Sequence, residues 1–217
     1  MPTVHAHSIW LAAPEAATLF DPARQTRLDA DRWARLSAPA RRAEWAGSRA
    51  LLTHLSDKKL THASLSHSRG WSAALVAPSG TRAGVDLEWL RPRNVLALAD
   101  YAFSAGEAAA LRSMAAADRL LRFHMLWTLK EAFAKALGLA LLPALRNCRF
   151  DGVEGHWAGR VPVESPWHAV VYSPRPGLVL AAAFVDEAAR NDPATKEWPG
   201  PQADDWPLLA RVTQRSP

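Results

Sequence analysis

The amino-acid sequence predicts a mixed α+β protein, and two patterns carry that prediction. Residues 22–55 and 94–139 repeat apolar side chains at three- and four-residue intervals, the spacing of a helix with one buried face. Residues 63–77 and 148–186 instead contain short apolar runs bounded by glycine and proline, which is typical of antiparallel strands. Because a helical stretch precedes a strand-forming stretch in each half, the chain also has a coarse internal repeat.

The turn-forming segment PSGT at 78–81 lies between the two helix-and-strand sets and marks the predicted boundary. The end of the chain is rich in Pro, Asp and Trp, follows neither pattern, and is expected to be extended. The predicted organisation therefore has an N-terminal α+β half, a C-terminal α+β half and an extended tail, at 1–80, 81–187 and 188–217.

In the N-terminal half, residues 4–11 are expected to form the first strand. Proline suits the first turn of a helix but not its interior, so the segment SAP at 37–39 divides the helical stretch in two. Arg69–Gly70 is the expected turn between two strands within 63–77.

In the C-terminal half, three helices are expected at 94–101, 104–114 and 118–137. The segment SAGE at 104–107 has the Ser-x-x-Glu form of a capping box, which predicts a helix start there. Gly138 follows the last apolar residue of the third helix, where glycine favours helix termination.

Length and composition are those of an ordinary globular protein. The chain has 217 residues, 49% of them hydrophobic and 22% charged, and no run of 18 apolar residues predicts a membrane span. The N-terminus lacks the basic segment and apolar run of a secretory signal. The single cysteine, Cys148, excludes an internal disulfide. A monomer in the reducing environment of the cytoplasm is therefore expected, without a membrane partner.

The net charge of +5 and the isoelectric point of about 9.9 favour an anionic partner. Nucleic acid, a phosphorylated small molecule and an acidic protein all satisfy that condition. Zinc-finger spacing, an aromatic RNA-binding signature and long Lys/Arg runs are all absent from the sequence, so no nucleic-acid partner is expected.

The strand-like segment AGVDLEWLRP at 83–92 carries two carboxylates. Side chains two positions apart on a strand point the same way, so Asp86 and Glu88 share one face, where like charges repel. One interpretation is the solvated face of an edge strand. The other is part of a cation site.

The segment FHMLWTLKEAFAKALG at 123–138 supplies a third carboxylate. Glu131 and Lys135 lie one turn apart, opposite the apolar stripe, which on its own fits an exposed salt bridge. Lys130 falls close to that stripe, where its charged end must snorkel or find a partner. Together with Asp86 and Glu88, however, Glu131 completes the kind of hard oxygen set that Mg²⁺ accepts while keeping waters and phosphate oxygens.

Two further groups are candidates for binding phosphate. The segment SHS at 66–68 places a hydroxyl and an imidazole, Ser66 and His67, at a strand end, although a lone histidine there is more often structural. Arg41, Arg42 and Arg49 lie along one predicted helix, where arginines are usually just solvated but are also able to clamp phosphates.

The order of motifs SLSHS, GVDLE, FSAGE and WTLKEAFAK resembles that of the Sfp-type 4′-phosphopantetheinyl transferases, over residues 38–138. The family signature is a G-[IV]-D-x-E strand followed by W-[ST]-x-K-E-x-x-x-K. The resemblance implies two similar α+β halves related by pseudo-twofold symmetry, with a ligand cleft between them. It also implies transfer of the phosphopantetheine arm of coenzyme A to a serine of an apo acyl or peptidyl carrier protein, with release of 3′,5′-ADP.

The resemblance also implies roles for individual residues. Asp86, Glu88 and Glu131 match the metal-binding acids, which hold Mg²⁺, or Mn²⁺ as a substitute, against the pyrophosphate. Catalytic roles are implied for Glu131, Lys135 and Glu107, with Lys135 placed near the departing 3′,5′-ADP. The residues that match coenzyme A contacts are Arg42, Arg49, Ser66, His67, Lys130 and Lys135.

The proton acceptor for the serine hydroxyl stays open between Glu131, Glu107 and a metal-bound water. Carrier proteins are typically acidic, so the basic charge of this chain is expected to steer them towards it. The alternative function is that of a catalytically inactive homologue that binds nucleotide or carrier protein.

Overall fold

The structure is a computed structural model that describes residues 7–153, 155–186, 192–199 and 206–215. It divides into two compact units, Met1–Gly80 with Pro193–Asp205 (unit 1) and Thr81–Asp192 with Trp206–Pro217 (unit 2). Each unit combines helices with one sheet, so the predicted α+β fold class is confirmed. The predicted domain limits and the pseudo-twofold relation between the halves stay predictions.

Within the described residues, the strands in chain order are β1 (Ser8–Ala12), β2 (His62–Ser68), β3 (Trp71–Val76), β4 (Arg82–Trp89), β5 (Arg149–Val153), β6 (His156–Arg160), β7 (Trp167–Arg175), β8 (Leu178–Val185), β9 (Ala194–Trp198) and β10 (Leu208–Gln214). The α-helices are α1 (Arg27–Arg35), α2 (Pro39–Asp57), α3 (Val95–Ala102), α4 (Ala105–Ser113), α5 (Ala116–Leu137) and α6 (Leu141–Asn147). Two short 3₁₀ helices, Pro14–Leu19 and Pro22–Arg24, precede α1.

In unit 1, a sheet in the order β2-β3-β1-β9 packs against the long helix α2. Leu51 and Leu55 of α2 are fully buried beside Trp10 and Ala74 of the sheet. The predicted turn between β2 and β3 is confirmed, with Arg69 and Gly70 both at positive φ. The expected strand at 4–11 appears as β1, although its first residues lie outside the described part of the chain.

Unit 2 contains a sheet in the order β4-β8-β7-β10-β6-β5, in which neighbours are antiparallel except for the parallel pair β10 and β6. Helix α5 crosses β4 and β8 and forms the centre of the main core. Its apolar stripe is buried as predicted, with Leu126, Leu129 and Phe133 at most 2% exposed. No helix within the described ranges is sufficiently long and apolar to cross a bilayer.

Several helix ends lie where the sequence predicts them. Helix α1 ends before the SAP segment. Helix α2 begins at Pro39, so this proline lies in the first turn of the helix, as predicted. The capping box is confirmed: the Ser104 hydroxyl accepts from the Glu107 backbone N–H, and the Glu107 carboxylate accepts from the Ser104 N–H. Helix α5 ends at Gly138, which is left-handed with φ 64°. The start of α5 at Ala116 is two residues earlier than expected.

The C-terminal segment differs from the extended tail that the sequence predicts. Strand β9 pairs in parallel with β1 of unit 1, and β10 lies between β6 and β7 of unit 2. Both strands form their hydrogen bonds with segments far away in the sequence, so local patterning carries little sign of them.

Candidate functional site

Strand β4 brings Asp86 into contact with helix α5. A Cβ at Gly84 would lie only 2.1 Å from the Ala132 carbonyl oxygen, so α5 lies against β4 because this position has no side chain. At that contact the Lys135 ammonium donates to the Asp86 carboxylate and to the Val85 carbonyl oxygen, each at 2.9 Å. The glycine of the GVDLE segment therefore sets the distance between β4, which carries Asp86, and α5, which carries Lys135.

The Asp86 carboxylate is buried, with 3% of the residue exposed, and its bond to Lys135 is charge-assisted. Glu88, two residues further along β4, is half-buried. Its side chain points to the same face of the strand as Asp86, as the sequence predicts. Two carboxylates at this spacing repel each other, and the Lys135 ammonium beside Asp86 reduces that repulsion.

Glu131 of α5 joins this cluster. Burial raises the pKa of its carboxyl to about 7, with the neighbouring Asp86 as the second cause and Glu88 as a weaker one. Lys135 and a hydrogen bond from the Trp127 indole N–H to Glu131 Oε1, at 2.6 Å, oppose that rise in the pKa. The carboxyl is thus able to exchange a proton near neutral pH.

The raised pKa predicts how stability depends on pH. Between about pH 4.5 and pH 7 the folded protein keeps the Glu131 proton while the unfolded chain loses it, so stability falls as pH rises through this window. We expect Glu131→Gln, which keeps an acceptor for Trp127, to increase the free energy of unfolding at pH 8 by on the order of 2 kcal/mol. At pH 4 the variant and the wild type should be equally stable.

Urea unfolding of both proteins between pH 4 and pH 8, in buffer with a chelator, measures this difference. Asp31→Asn on the exposed surface of α1 is the matched carboxyl-to-amide control. The difference in the free energy of unfolding between this variant and the wild type should not increase from pH 4 to pH 8. A difference for Glu131→Gln that stays constant from pH 4 to pH 8 would contradict the prediction.

The cluster fits a divalent cation by its donor chemistry. Asp86, Glu88 and Glu131 supply carboxylate oxygens, and burial, followed by the negative charges of Asp86 and Glu88, raises the pKa of Glu131, a shift that a bound cation would oppose. Among the described residues, no three His, Cys, Asp or Glu side chains converge closely enough to enclose a metal ion as they stand. The arrangement of the three acids around Mg²⁺ therefore stays a prediction.

Lys130 and Glu107 form a second, separate cluster in the core of unit 2. The Lys130 ammonium, fully buried, donates to Glu107 Oε2 and to the Leu145 carbonyl oxygen, both at 2.7 Å. The same carboxylate accepts from the Phe150 backbone N–H and from the Ser104 hydroxyl. This pair joins α5 to α4, α6 and β5, and its bonds are directed into the protein.

The remaining predicted residues lie in unit 1, on α2 and β2. The Arg42 guanidinium stacks 4.2 Å from the centre of the Trp33 ring, and that of Arg49 lies 4.8 Å from the centre of the Trp45 ring. The two arginines are seven residues apart, two turns of α2, and so share one side of the helix. Arg49 also donates to Asp29 at 3.0 Å.

Ser66 and His67 follow each other on β2. Ser66 is buried, whereas about half of the His67 side chain is exposed, with its Nδ1 3.8 Å from a Glu44 carboxylate oxygen. Another oxygen of Glu44 accepts from the Gly70 backbone N–H at 3.4 Å. Glu44 therefore connects the strand end to α2, the helix that carries Arg42 and Arg49.

Two residues beside the carboxylate cluster, Trp127 and Arg93, are not among those that the sequence predicts for the site. Trp127 fixes the Glu131 carboxylate, and the one-turn spacing of the two residues on α5 was the available signal. Arg93 lies 5.8 Å and 5.9 Å from the ring centres of Phe123 and Trp127. Burial lowers the pKa of its guanidinium, and the negative charges of Glu88 and Glu131 oppose that shift. In the sequence, the positive charge of the RPRN segment at 91–94 was the only indication that Arg93 lies near the carboxylates.

Comparison with known proteins relates this geometry to a family. Residues 82–172, which contain Asp86, Glu131 and Lys135, match the family model of the 4′-phosphopantetheinyl transferase superfamily. Over these residues the chain is similar to members of that superfamily. The resemblance found in the GVDLE and WTLKEAFAK segments is thereby confirmed.

Three curated members of the superfamily show how far the likeness extends. The 4′-phosphopantetheinyl transferase ffp of Bacillus subtilis is 33% identical over 136 residues, which cover 60% of this chain and 56% of the relative. The transferase psf-1 of Bacillus pumilus is 39% identical over 130 residues, which cover 59% and 54%. The transferase AcpT of Salmonella typhimurium is 40% identical over 75 residues, which cover 34% and 38%. The match thus spans about half the length of the two Bacillus relatives.

Proposed function

We propose that this protein is a Mg²⁺-dependent 4′-phosphopantetheinyl transferase. It moves the phosphopantetheine arm of coenzyme A to a serine of an apo acyl or peptidyl carrier protein and releases 3′,5′-ADP. The observation that carries the proposal is the contact between Lys135 and Asp86 beside the protonatable Glu131, within the part of the chain that matches the superfamily.

In this proposal Asp86, Glu88 and Glu131 hold the metal, whose positive charge stabilises the pyrophosphate of coenzyme A. The Lys135 ammonium donates to the buried Asp86 carboxylate, and about a third of the Lys135 side chain is exposed. Its ammonium is therefore both anchored by Asp86 and accessible to a phosphate oxygen. A cation held in this way stabilises negative charge that develops on the departing 3′,5′-ADP.

Glu131 is the better candidate than Glu107 for accepting the proton of the carrier serine. A proton acceptor has to come within hydrogen-bond reach of the hydroxyl, and Glu131 is only half-buried and lies in the carboxylate cluster beside Lys135. The Glu107 carboxylate, by contrast, already accepts hydrogen bonds from Lys130, Phe150 and Ser104. We therefore assign Glu107 and Lys130 to positioning the helices of unit 2 rather than to contacts with coenzyme A.

The 3′-phosphate of coenzyme A is assigned to Arg42, Arg49, Ser66 and His67. Stacking on Trp33 and Trp45 limits the motion of both guanidinium groups, which reduces the entropy lost on binding an anion. The half-exposed imidazole of His67 is accessible to a ligand. Arg49 has to share its charge with Asp29, so Arg42 and His67 are the stronger of these candidates.

Modification of a carrier protein tests the proposed function directly. Wild-type protein incubated with coenzyme A, Mg²⁺ and a panel of apo carrier proteins should yield a carrier heavier by one phosphopantetheine arm, measured by mass spectrometry. Asp86→Asn removes a charge from the proposed metal site and the ion pair with Lys135, so the rate should fall by about a hundredfold.

Asp31→Asn, which removes the same charge from the exposed surface of α1, should keep the wild-type rate. Melting temperatures of both variants confirm that each is folded under the assay conditions. If no carrier is modified, or if the Asp86→Asn rate equals that of the control, the proposed function is contradicted. The alternative of a catalytically inactive homologue would then be favoured.

A further inference from the structure

A second basic site lies in unit 2, where a pocket of about 640 Å³ opens between the start of α4 and the strands β5 and β6. This volume is within the range of pockets that bind small organic ligands. Four arginines contribute to its lining, namely Arg122, Arg149, Arg160 and Arg215. None of them belongs to the site proposed for transfer.

Arg149 and Arg160 face each other directly across the ladder between β5 and β6. Directly opposed residues on antiparallel strands have Cβ atoms about 5 Å apart on one face of the sheet, and like charges there are destabilising. Both side chains are exposed, and none of the ion pairs among the described residues includes either guanidinium. An anion between them would turn this repulsion into attraction.

The two carboxylates in the pocket wall do not supply that anion. Glu107 is held by Lys130 and by the Phe150 backbone N–H. Asp151 is paired with Arg215. Arg122, Arg149 and Arg160 therefore give the lining of this pocket a net positive charge.

Arg122 is held in place before any ligand binds. Its guanidinium lies 3.6 Å from the centre of the Trp157 ring and donates to the Gly152 carbonyl oxygen at 3.0 Å. The first turn of α4, Ala105–Gly106, also lines the pocket, and backbone N–H groups at the start of a helix lack intrahelical partners and favour negative charge. Guanidinium groups and backbone N–H groups together form the donor set that binds phosphate oxygens.

We propose that this pocket binds a phosphate dianion, either as free phosphate or as the phosphate group of a small phosphomonoester. Arg149 and Arg160 hold it from β5 and β6, and Arg122 approaches from α5. Arg122 and Glu131 are nine residues apart on α5, which corresponds to about 13 Å along the helix axis. The pocket is therefore distinct from the carboxylate cluster, and the inference does not rest on the proposed transferase function.

Titration calorimetry with sodium phosphate, at constant ionic strength, tests the proposal on the whole chain. Arg160→Gln should weaken the phosphate binding of the wild type by about tenfold, because one charge-assisted contact is lost. Without phosphate, the melting temperature of Arg160→Gln should equal or exceed that of the wild type, because the repulsion across β5 and β6 is gone. A parallel titration with methyl phosphate, a small phosphomonoester without a nucleoside, distinguishes a phosphomonoester from free phosphate by which of the two loses more affinity in Arg160→Gln.

Arg32→Gln is the matched control, since it removes one exposed positive charge from α1 and should bind phosphate as the wild type does. The proposal would be overturned if Arg160→Gln bound phosphate as tightly as the wild type does. It would also be overturned if, without phosphate, Arg160→Gln had a lower melting temperature than the wild type. An increase in the KM for carrier protein, with phosphate affinity unchanged, would also overturn it and identify the arginines as contacts to an acidic protein surface.

Discussion

Replacing Lys130 with methionine is expected to lower the free energy of unfolding by about 3–5 kcal/mol, because it leaves a buried carboxylate without its cation. Methionine keeps most of the lysine stem, so little packing is lost. The Glu107 carboxylate, only 7% exposed, keeps its bonds to Phe150 and Ser104 but not its charge partner. For a chain of this size we expect the melting temperature to fall by roughly 10 °C.

A double-mutant cycle separates the pair from its surroundings. Glu107→Gln removes the charge and keeps an acceptor, and Lys130→Met combined with Glu107→Gln removes both charges from the core. The double variant should recover about 2 kcal/mol or more relative to the sum of the two single variants, measured by urea unfolding. Additivity within about 0.5 kcal/mol would show that Lys130 and Glu107 stabilise the fold independently.

The same cycle decides between the two roles considered for these residues. Direct contact with coenzyme A or with the reacting groups would make the double variant inactive even where it is fully folded. Positioning of α4 and α5 instead leaves the carrier-modification rate of the folded double variant within about tenfold of wild type, with no selective increase in the KM for coenzyme A. The hydrogen bonds of the pair, all directed into unit 2, favour the second outcome.

The local features of unit 2 are those that the sequence predicts best. The capping box of α4, the end of α5 at Gly138 and the position of Asp86 and Glu88 on β4 depend on neighbouring residues alone. Lys130 is an instructive intermediate case. Its place beside the apolar stripe predicts that its charge needs a partner, but the identity of that partner, 23 positions away, depends on how α4 packs against α5.

The features that escaped prediction depend on contacts between distant segments. Strands β9 and β10 are defined by pairing with β1, β6 and β7, so their sequences alone resemble an extended tail. The guanidinium of Arg93 reaches the aromatic rings of α5 only once that helix packs against the segment after β4. The opposition of Arg149 and Arg160 similarly requires the register of β5 and β6.

Replacing Gly84 with alanine is expected to lower the free energy of unfolding by roughly 3 kcal/mol or more and to reduce carrier modification by at least about a hundredfold. The added methyl group would lie 2.1 Å from the Ala132 carbonyl oxygen and 2.7 Å from the Ala136 backbone nitrogen. Backbone atoms within a helix cannot rotate away as a flexible side chain can, so α5 as a whole has to shift from β4. That shift moves Lys135 away from Asp86.

Gly106→Ala is the matched control, because a Cβ at this position of α4 meets no atom within 4 Å. Alanine is favoured over glycine inside a helix, so this variant should gain about 0.5–1 kcal/mol of stability. Urea unfolding and the carrier mass-shift assay compare the two substitutions. A Gly84→Ala protein as stable and as active as the control would contradict the view that close approach of β4 and α5 assembles the site, since the lysine–aspartate contact would then tolerate displacement of the helix that carries it.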